Sequence, residues 1–256
     1  MSNQAGSGRW DLSDAAQSAA LDAAVEGSIS IALAEDVGAG DLTAQLLDAD
    51  ATVEARLIVR EAAVLCGGPW FDGVMRRVDG RIRVHWLAPE GAALASGACV
   101  CRLQGPARGL LTAERTALNF LQLLSAVATA TRRYVQAVAQ VPGNRAKIFD
   151  TRKTIPGLRL AQKYAVRVGG GCNQRLGLYD AILIKENHIT AAGGVSAALR
   201  AALFQGVPVQ IEVESLGQLE EAIAAGANSI LLDNFAVAAM REAVRINAGR
   251  ALLEVS

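Results

Sequence analysis

Between positions 150 and 188 the chain carries seven lysines and arginines (Arg152, Lys153, Arg159, Lys163, Arg167, Arg175 and Lys185) against three acids (Asp150, Asp180 and Glu186), yet its formal net charge is zero. A neutral protein does not gather polyanions through its overall field, so a local excess of cations needs a local cause. One such cause is a pocket for a small, densely negative substrate; the other is a solvated helix face. Arg159, Lys163 and Arg167 recur every four residues, with Leu158, Ala161, Ala165 and Val166 on the apolar side, and read as helix surface. Arg152, Lys153 and Lys185 escape that pattern, because each follows or ends a short apolar run.

Those runs must position the cations. Residues 147–150 and 181–185 read as short buried strands, and Pro156 opens a periodic segment, as a proline at a helix start does. Residues 209–214 and 230–233 read as further strands, ending in Glu214 and Asp233, and 251–255 as another just before Ser256. Ala- and Leu-rich helical periodicity fills 194–204, 216–225 and 237–246. Strands alternating with helices predict a parallel α/β layer, where ligand-contacting side chains collect at the carboxyl ends of strands. Charges at successive strand ends mark a site there.

The first half is patterned differently. A helical stretch (15–35) leads into a loop (35–43) with two glycines and three acids, then into alternating strands at 52–60 and 81–86. Gly67-Gly68-Pro69, Asp79-Gly80, Pro89-Glu90-Gly91 and Ser96-Gly97 punctuate them, and His85 falls on the polar side of its strand. This predicts a mostly antiparallel sheet with a few helices as one domain, 1–111. A long helical segment (110–138) opens the second domain, 112–256. Leu118, Leu121, Leu124 and Val127 stripe one of its faces, Thr112 reads as its N-cap or a first-turn residue, and Arg115 alone is an ordinary surface residue.

Composition bounds the alternatives. With 256 residues, 52% hydrophobic and 20% charged, the chain has material for a sizeable core and is not an extended disordered protein. No apolar run reaches the ~18–20 residues of a membrane span, and the first residues lack a signal-peptide core, so no membrane partner and a cytoplasmic address are expected. Zero net charge gives no reason to expect nucleic acid as a partner. Four cysteines and two histidines, His85 and His188, lack zinc-ligand spacing; Cys99 and Cys101 read as buried, unpaired thiols in a strand.

The segments ERTALNFLQLLS (114–125), DTRKTIPGLR (150–159), KYAVRVGGGCNQRLGLYDAILIKENHI (163–189), EVES (212–215) and LLDNF (231–235), in this order, resemble the quinolinate phosphoribosyltransferase family, as does the acidic loop at 35–43. Related molybdenum-operon proteins share TRKTIPG but are not expected to carry the Lys185-Glu186-Asn187-His188 string. The resemblance implies an α/β protein: an N-terminal open-faced α/β sandwich, then an α/β barrel-like domain. It also implies transfer of a phosphoribosyl group from phosphoribosyl pyrophosphate to quinolinate with decarboxylation. The products would be nicotinate mononucleotide, pyrophosphate and carbon dioxide, on the de novo route to NAD. Magnesium (Mg2+) would arrive with the donor, with no metal site of the protein's own.

By the same resemblance, Arg152 and Arg175, with Thr151 and Lys185, are assigned to the dicarboxylate, and Arg115 joins them from the second subunit of a homodimer. Lys153 could serve either substrate and, with Arg152, is the expected catalytic residue. Glu214 and Asp233 suit ribose hydroxyls and the magnesium-bearing donor. The family's Asn-His-Arg reads Asn173-Gln174-Arg175 here, and glutamine cannot become cationic, so no protonated side chain is expected at 174. His188 could be a site residue or a loop residue satisfied by backbone. Gly169, Gly170 and Gly171 lack P-loop spacing and read as a helix stop with close backbone approach to the bound ring. Family members continue past the last strand with two loops that hold the 5′-phosphate, of which Ser256 would be the only remnant. That predicts a barrel truncated at its C-terminal end, with quinolinate binding retained, donor binding weakened and turnover low or absent. Two other functions fit the cation cluster: a catalytically impaired or regulatory anion-binding homologue, and transfer to another aromatic acid.

Overall fold

The structure, a computed structural model, describes residues 15–256. It divides into two compact units, the first running to Gln174 and the second from Arg175 to Ser256.

The first unit contains α1 (Ala15–Asp36), a 3-10 turn (Ala44–Leu46), β1 (Thr52–Ile58), β2 (Ala63–Val64), α2 (Gly68–Val78), β3 (Arg83–Trp86), β4 (Ala93–Leu94), β5 (Cys99–Pro106), α3 (Ala107–Ala139) and α4 (Arg159–Val168). Strand β5 lies between β1 and β3, antiparallel to both, and β2 pairs with β4. The sheet is open: β1 is exposed along almost its whole length, only Leu57 being partly covered, so its alternation does not create a buried face.

The core gathers beneath α2 and α3. Trp70 packs on Tyr164 of α4 with ring centroids 5.5 Å apart, and Phe71 meets Trp86 edge-on at 5.3 Å. Helix α3 turns Leu110, Ala113, Ala117, Leu121, Leu124 and Ala128 inward at helical spacing. A fully buried leucine such as Leu124 contributes about 1.5–3 kcal/mol by leaving water. Hydroxyls on α3 also complete β2 and its exit: Val64 N–H donates to Thr129 Oγ1 at 2.8 Å, and Cys66 N–H to Ser125 Oγ at 3.0 Å. Helices α3 and α4 therefore belong by packing to the first sheet. The compact division falls at Gln174, and the 111/112 boundary read from the sequence falls near the start of α3, where sheet hands over to helix.

Three local expectations need correction. Helix α3 begins at Ala107 behind Pro106, so Thr112 is no cap; its hydroxyl donates to Asp41 Oδ2 at 2.9 Å. Pro156 does not start α4. Leu158 N–H returns to the Ile155 carbonyl at 3.1 Å and Gly157 has φ +80°, a tight turn with proline then glycine at its centre, and the helix starts at Arg159. Residues 147–150 form no buried strand. Their ladder is one parallel bridge between Phe149 and Cys172, and Phe149 is 40% exposed.

The second unit is a four-stranded parallel sheet in sequence order: β6 (Ile182–Ile184), β7 (Val209–Val213), β8 (Ser229–Leu232) and β9 (Leu252–Val255). Helices α5 (Glu186–Ala192), α6 (Val195–Leu203), α7 (Leu216–Ala224) and α8 (Val237–Asn247) connect them. Ile184, Ile211, Val213, Ile230 and Leu232 form one buried face, closed by Leu199, Leu219, Ala222 and Ala243 from the helices. Among the described residues no helix is long and apolar enough to cross a membrane.

Candidate active site

The register of the parallel sheet explains which side chains meet. Ile184, Ile211 and Ile230 share a row on the buried face, so the next residue on each strand points to the opposite face. That places Lys185 beside Glu212, and Lys185 Nζ donates to both Glu212 carboxylate oxygens, at 3.0 and 3.3 Å. The Glu212 side chain is 10% exposed and that of Lys185 46%. Two residues further on, past the row of Val213, Leu232 and Val255, come Glu214, Asp233 and Ser256. The ladder continues there, with Asp233 N–H on the Val213 carbonyl at 3.0 Å and Ser256 N–H on Leu232 at 3.2 Å. Two acids and a hydroxyl thus stand side by side at the carboxyl edge. Glu212 was missed in the sequence, though the period of two in Gln210, Glu212 and Glu214 carried the signal.

His188 has a structural role. Its Nδ1 accepts the Lys185 N–H at 3.0 Å at the start of α5, so the backbone satisfies it. Arg175 Nη1 donates to the Ala181 carbonyl at 3.2 Å, and Asp180 accepts the N–H groups of Leu176 and Gly177 at 2.8 and 2.9 Å, shaping the loop after Arg175.

In the first unit the cation-bearing loop follows Asp150. Thr151 Oγ1 accepts the Lys153 N–H at 3.0 Å, and the Arg152 carbonyl accepts the Thr154 N–H at 3.0 Å, so the loop is turned tightly by its own groups. Helix α4 holds its far side: Gln162 Oε1 accepts the Ile155 N–H at 2.7 Å, and Arg159 Nε reaches Thr154 Oγ1 at 3.2 Å. Lys153 is exposed and Arg152 partly buried. Arg152 Nε is buried yet has no hydrogen-bond partner.

Lys163, expected on a solvated helix face, is completely buried. Its Nζ donates to Asp150 Oδ1 at 2.5 Å and to the Gln174 carbonyl at 3.0 Å. Asp150 also accepts Asn173 Nδ2 at 2.5 Å and the Gln174 N–H at 2.8 Å, while Asn173 Nδ2 donates to the Lys163 carbonyl at 2.9 Å. Removing one partner of such a buried pair costs about 3–5 kcal/mol, because the other charge stays behind. Periodicity misplaced Lys163 because α4 is covered on two faces, the second by the segments around 150 and 173.

The glycine run closes α4. Gly171 N–H bonds back to the Val166 carbonyl at 2.9 Å, which ends α4 as expected. Two of these glycines also allow a close approach to α3. A Cβ on Gly169 would stand 2.6 Å from the Ala128 carbonyl oxygen, and one on Gly171 2.8 Å from Thr131 Cγ2. Arg132 of α3 donates to the carbonyls of Gly169 and Val168 at 2.8 and 3.1 Å, closing the helix end with a cation.

Arg115 is exposed on α3, and the acidic loop is docked on the same turns. Asp36 accepts the Thr116 hydroxyl at 3.0 Å. Hydrogen bonds from the Ala44 N–H and then the Thr112 hydroxyl hold the Asp41 carboxyl below the usual carboxylate range. A cavity of about 590 Å³ lies between α1, the 3-10 turn, α2 and α3, lined in part by Asp41, Arg77, Asp79 and Arg108. It contains none of the expected site residues, and its charges are already matched: Arg77 to Glu26, Arg108 to the Leu47 carbonyl, Asp79 to Arg81. An unmatched donor, the Nε of Arg152, lies elsewhere.

In the second unit a parallel sheet carries acids along its carboxyl edge, and in the first a loop carries cations; each is chemistry suited to an enzyme of small charged substrates. The family model for the N-terminal domain of quinolinate phosphoribosyl transferase matches residues 41–125, and that for the C-terminal domain matches 127–256. The chain belongs to this family. It is 46% identical over 254 residues to the nicotinate-nucleotide pyrophosphorylase [carboxylating] of Mycobacterium leprae, spanning 96% of this chain and 87% of that one. It is 41% identical over 218 residues to the probable enzyme of that name from Synechocystis, spanning 84% and 72%. The solved nicotinate-nucleotide pyrophosphorylase of Francisella tularensis superposes with a TM-score of 0.88 at 45% identity, covering 92% of this chain and 83% of that one.

Proposed function

We propose that this protein transfers the phosphoribosyl group of phosphoribosyl pyrophosphate to quinolinate and decarboxylates the adduct, giving nicotinate mononucleotide, pyrophosphate and carbon dioxide for NAD biosynthesis. Family membership supports the reaction. The observation that carries its site is the buried, unpartnered Nε of Arg152. A buried donor without an acceptor costs about 1–3 kcal/mol, which a bound carboxylate recovers through a charge-assisted bond. Quinolinate has two adjacent carboxylates, and their mutual repulsion is offset only where cations replace water.

Arg152 and Arg175, with Thr151 and Lys185, take the dicarboxylate, and Arg115 of the partner subunit completes the grip in a homodimer. Glu212 fixes the Lys185 ammonium. Glu214 and Asp233 serve the ribose hydroxyls and the magnesium-chelated pyrophosphate of the donor, and Ser256 its 5′-phosphate. The magnesium is taken to arrive as part of the donor substrate.

The pyridine nitrogen attacks the anomeric carbon, the C–O bond to pyrophosphate breaks, and Lys153 stabilises charge between the substrates. The nitrogen, now quaternary, lets the C2 carboxylate leave as carbon dioxide. Its bonding pair stays on C2 beside the cationic nitrogen until a proton from solvent replaces it. No protein nucleophile is needed; orientation and charge placement supply the catalysis. Gln174 adds a neutral hydrogen-bonding group, so no rate titration traces to that position.

The named relatives are enzymes, which favours turnover over the regulatory reading. A cytoplasmic site of action is proposed too, and four free cysteines suit a reducing compartment; fractionation of cells tests it. The reaction is tested by pyrophosphate release. Release should require quinolinate and stay at background with nicotinate; equal release with both acids would contradict a dicarboxylate substrate.

A further inference from the structure

The segments that carry Arg152 and precede Arg175 share one parallel bridge between Phe149 and Cys172, made by the Cys172 N–H on the Ile148 carbonyl at 2.8 Å and the Asp150 N–H on the Cys172 carbonyl at 3.1 Å. Past Cys172 no further backbone pair of this bridge follows, and the buried ion pair takes over. Both the N–H and the carbonyl of Gln174 are engaged, one by Asp150 and the other by Lys163, and Asn173 is tied to both residues. Asp150 is covalently next but one to Arg152, so any shift of its carboxylate moves the start of the cation-bearing loop. Lys163 is fully buried and the Asp150 side chain is 8% exposed, so neither can act as a solvent-facing ligand for substrate.

We propose that Lys163 and Asp150 are positioning residues: their ion pair continues the hold where the short backbone bridge ends and sets the place of Arg152 for the quinolinate carboxylate. This rests on the proposed function. A stretched or rotated loop would leave every substrate-facing side chain present but displaced, and a displacement of about 1 Å at a reacting group can cost ~100-fold. A purely structural role for the pair makes a different prediction, because affinity would then follow overall stability alone.

The test measures quinolinate Kd by calorimetry beside the melting temperature. Lys163→Met alone leaves Asp150 buried and unpaired, so the informative variants are Lys163→Met with Asp150→Asn, which removes both charges, and Asp150→Glu, which keeps both but lengthens the arm. The control is Leu219→Ala, a cavity in the core of the second unit, brought to an equal loss of melting temperature by adjusting conditions. The expected result is at least a tenfold weaker quinolinate Kd in the folded double variant and in Asp150→Glu, with less than twofold change in the control. Wild-type Kd in either folded variant overturns the proposal, as does a loss no larger than in the control. An unfolded double variant leaves the decision to Asp150→Glu, and failure of both to fold counts against a positioning role in favour of a structural one. Absence of quinolinate binding by the unmodified protein would instead count against the proposed function.

Discussion

At the residue scale, Arg152 and Lys153 have different neighbours and should fail differently. Arg152 is partly buried with an unmatched Nε, whereas Lys153 is exposed and held only through its main chain. Arg152→Ala should weaken quinolinate binding at least 100-fold, since a lost charge-assisted, two-point contact is worth roughly 3 kcal/mol or more. Lys153→Ala should abolish turnover with a smaller effect on quinolinate affinity. Melting curves of both should match the parent, and near-normal turnover in either would remove its assigned role. Residue chemistry was legible where a motif fixed it, as at Thr151, Arg152, Lys153 and Lys185. It was not legible where burial decides, as at Lys163. A cation every fourth residue looks solvated until a second covering segment is known, and that segment, about Asn173, lies past the end of the helix, where periodicity gives no sign that the chain folds back.

At the scale of elements, α3 and α4 are locked by glycine rather than by side-chain interdigitation. Gly169 has φ −68°, which alanine also accepts, so sterics alone forbid a side chain there. Gly169→Ala should cost about 1–3 kcal/mol through overpacking against Ala128 and Thr131. Gly27→Ala, in the middle of α1 with nothing within 4 Å, should stabilise by about 0.5–1 kcal/mol. Thermal melts of the pair decide it; equal melting temperatures would mean that α3 gives way without cost. Four strands and three helices of the second unit were legible because apolar strands and Ala-rich helices alternate at their ordinary periods, and the structure returns them within a residue or two; α5, a short helix with no buried residue, left no such pattern. The stretch at 147–150 was not, because four residues of strand-like composition say nothing about whether a neighbour supplies a ladder.

At the scale of the whole molecule, function requires a second copy if Arg115 completes the partner's site. Mixing Arg115→Ala with Lys153→Ala, each inactive alone, should restore part of the activity through hybrids with one intact site; hybrids shown to form yet inactive would rule out sharing. The division of the molecule was only partly legible, since composition marks the end of a sheet while packing assigns α3 and α4 to it. The central claim is that pyridine quaternisation and decarboxylation are successive steps at one site. Quinolinate labelled in its C2 carboxyl tests this most directly, through the ratio of labelled carbon dioxide to pyrophosphate. The account predicts one carbon dioxide per pyrophosphate at any rate of turnover, and none without phosphoribosyl pyrophosphate. Pyrophosphate released without labelled carbon dioxide, or carbon dioxide lost without the donor, would contradict it.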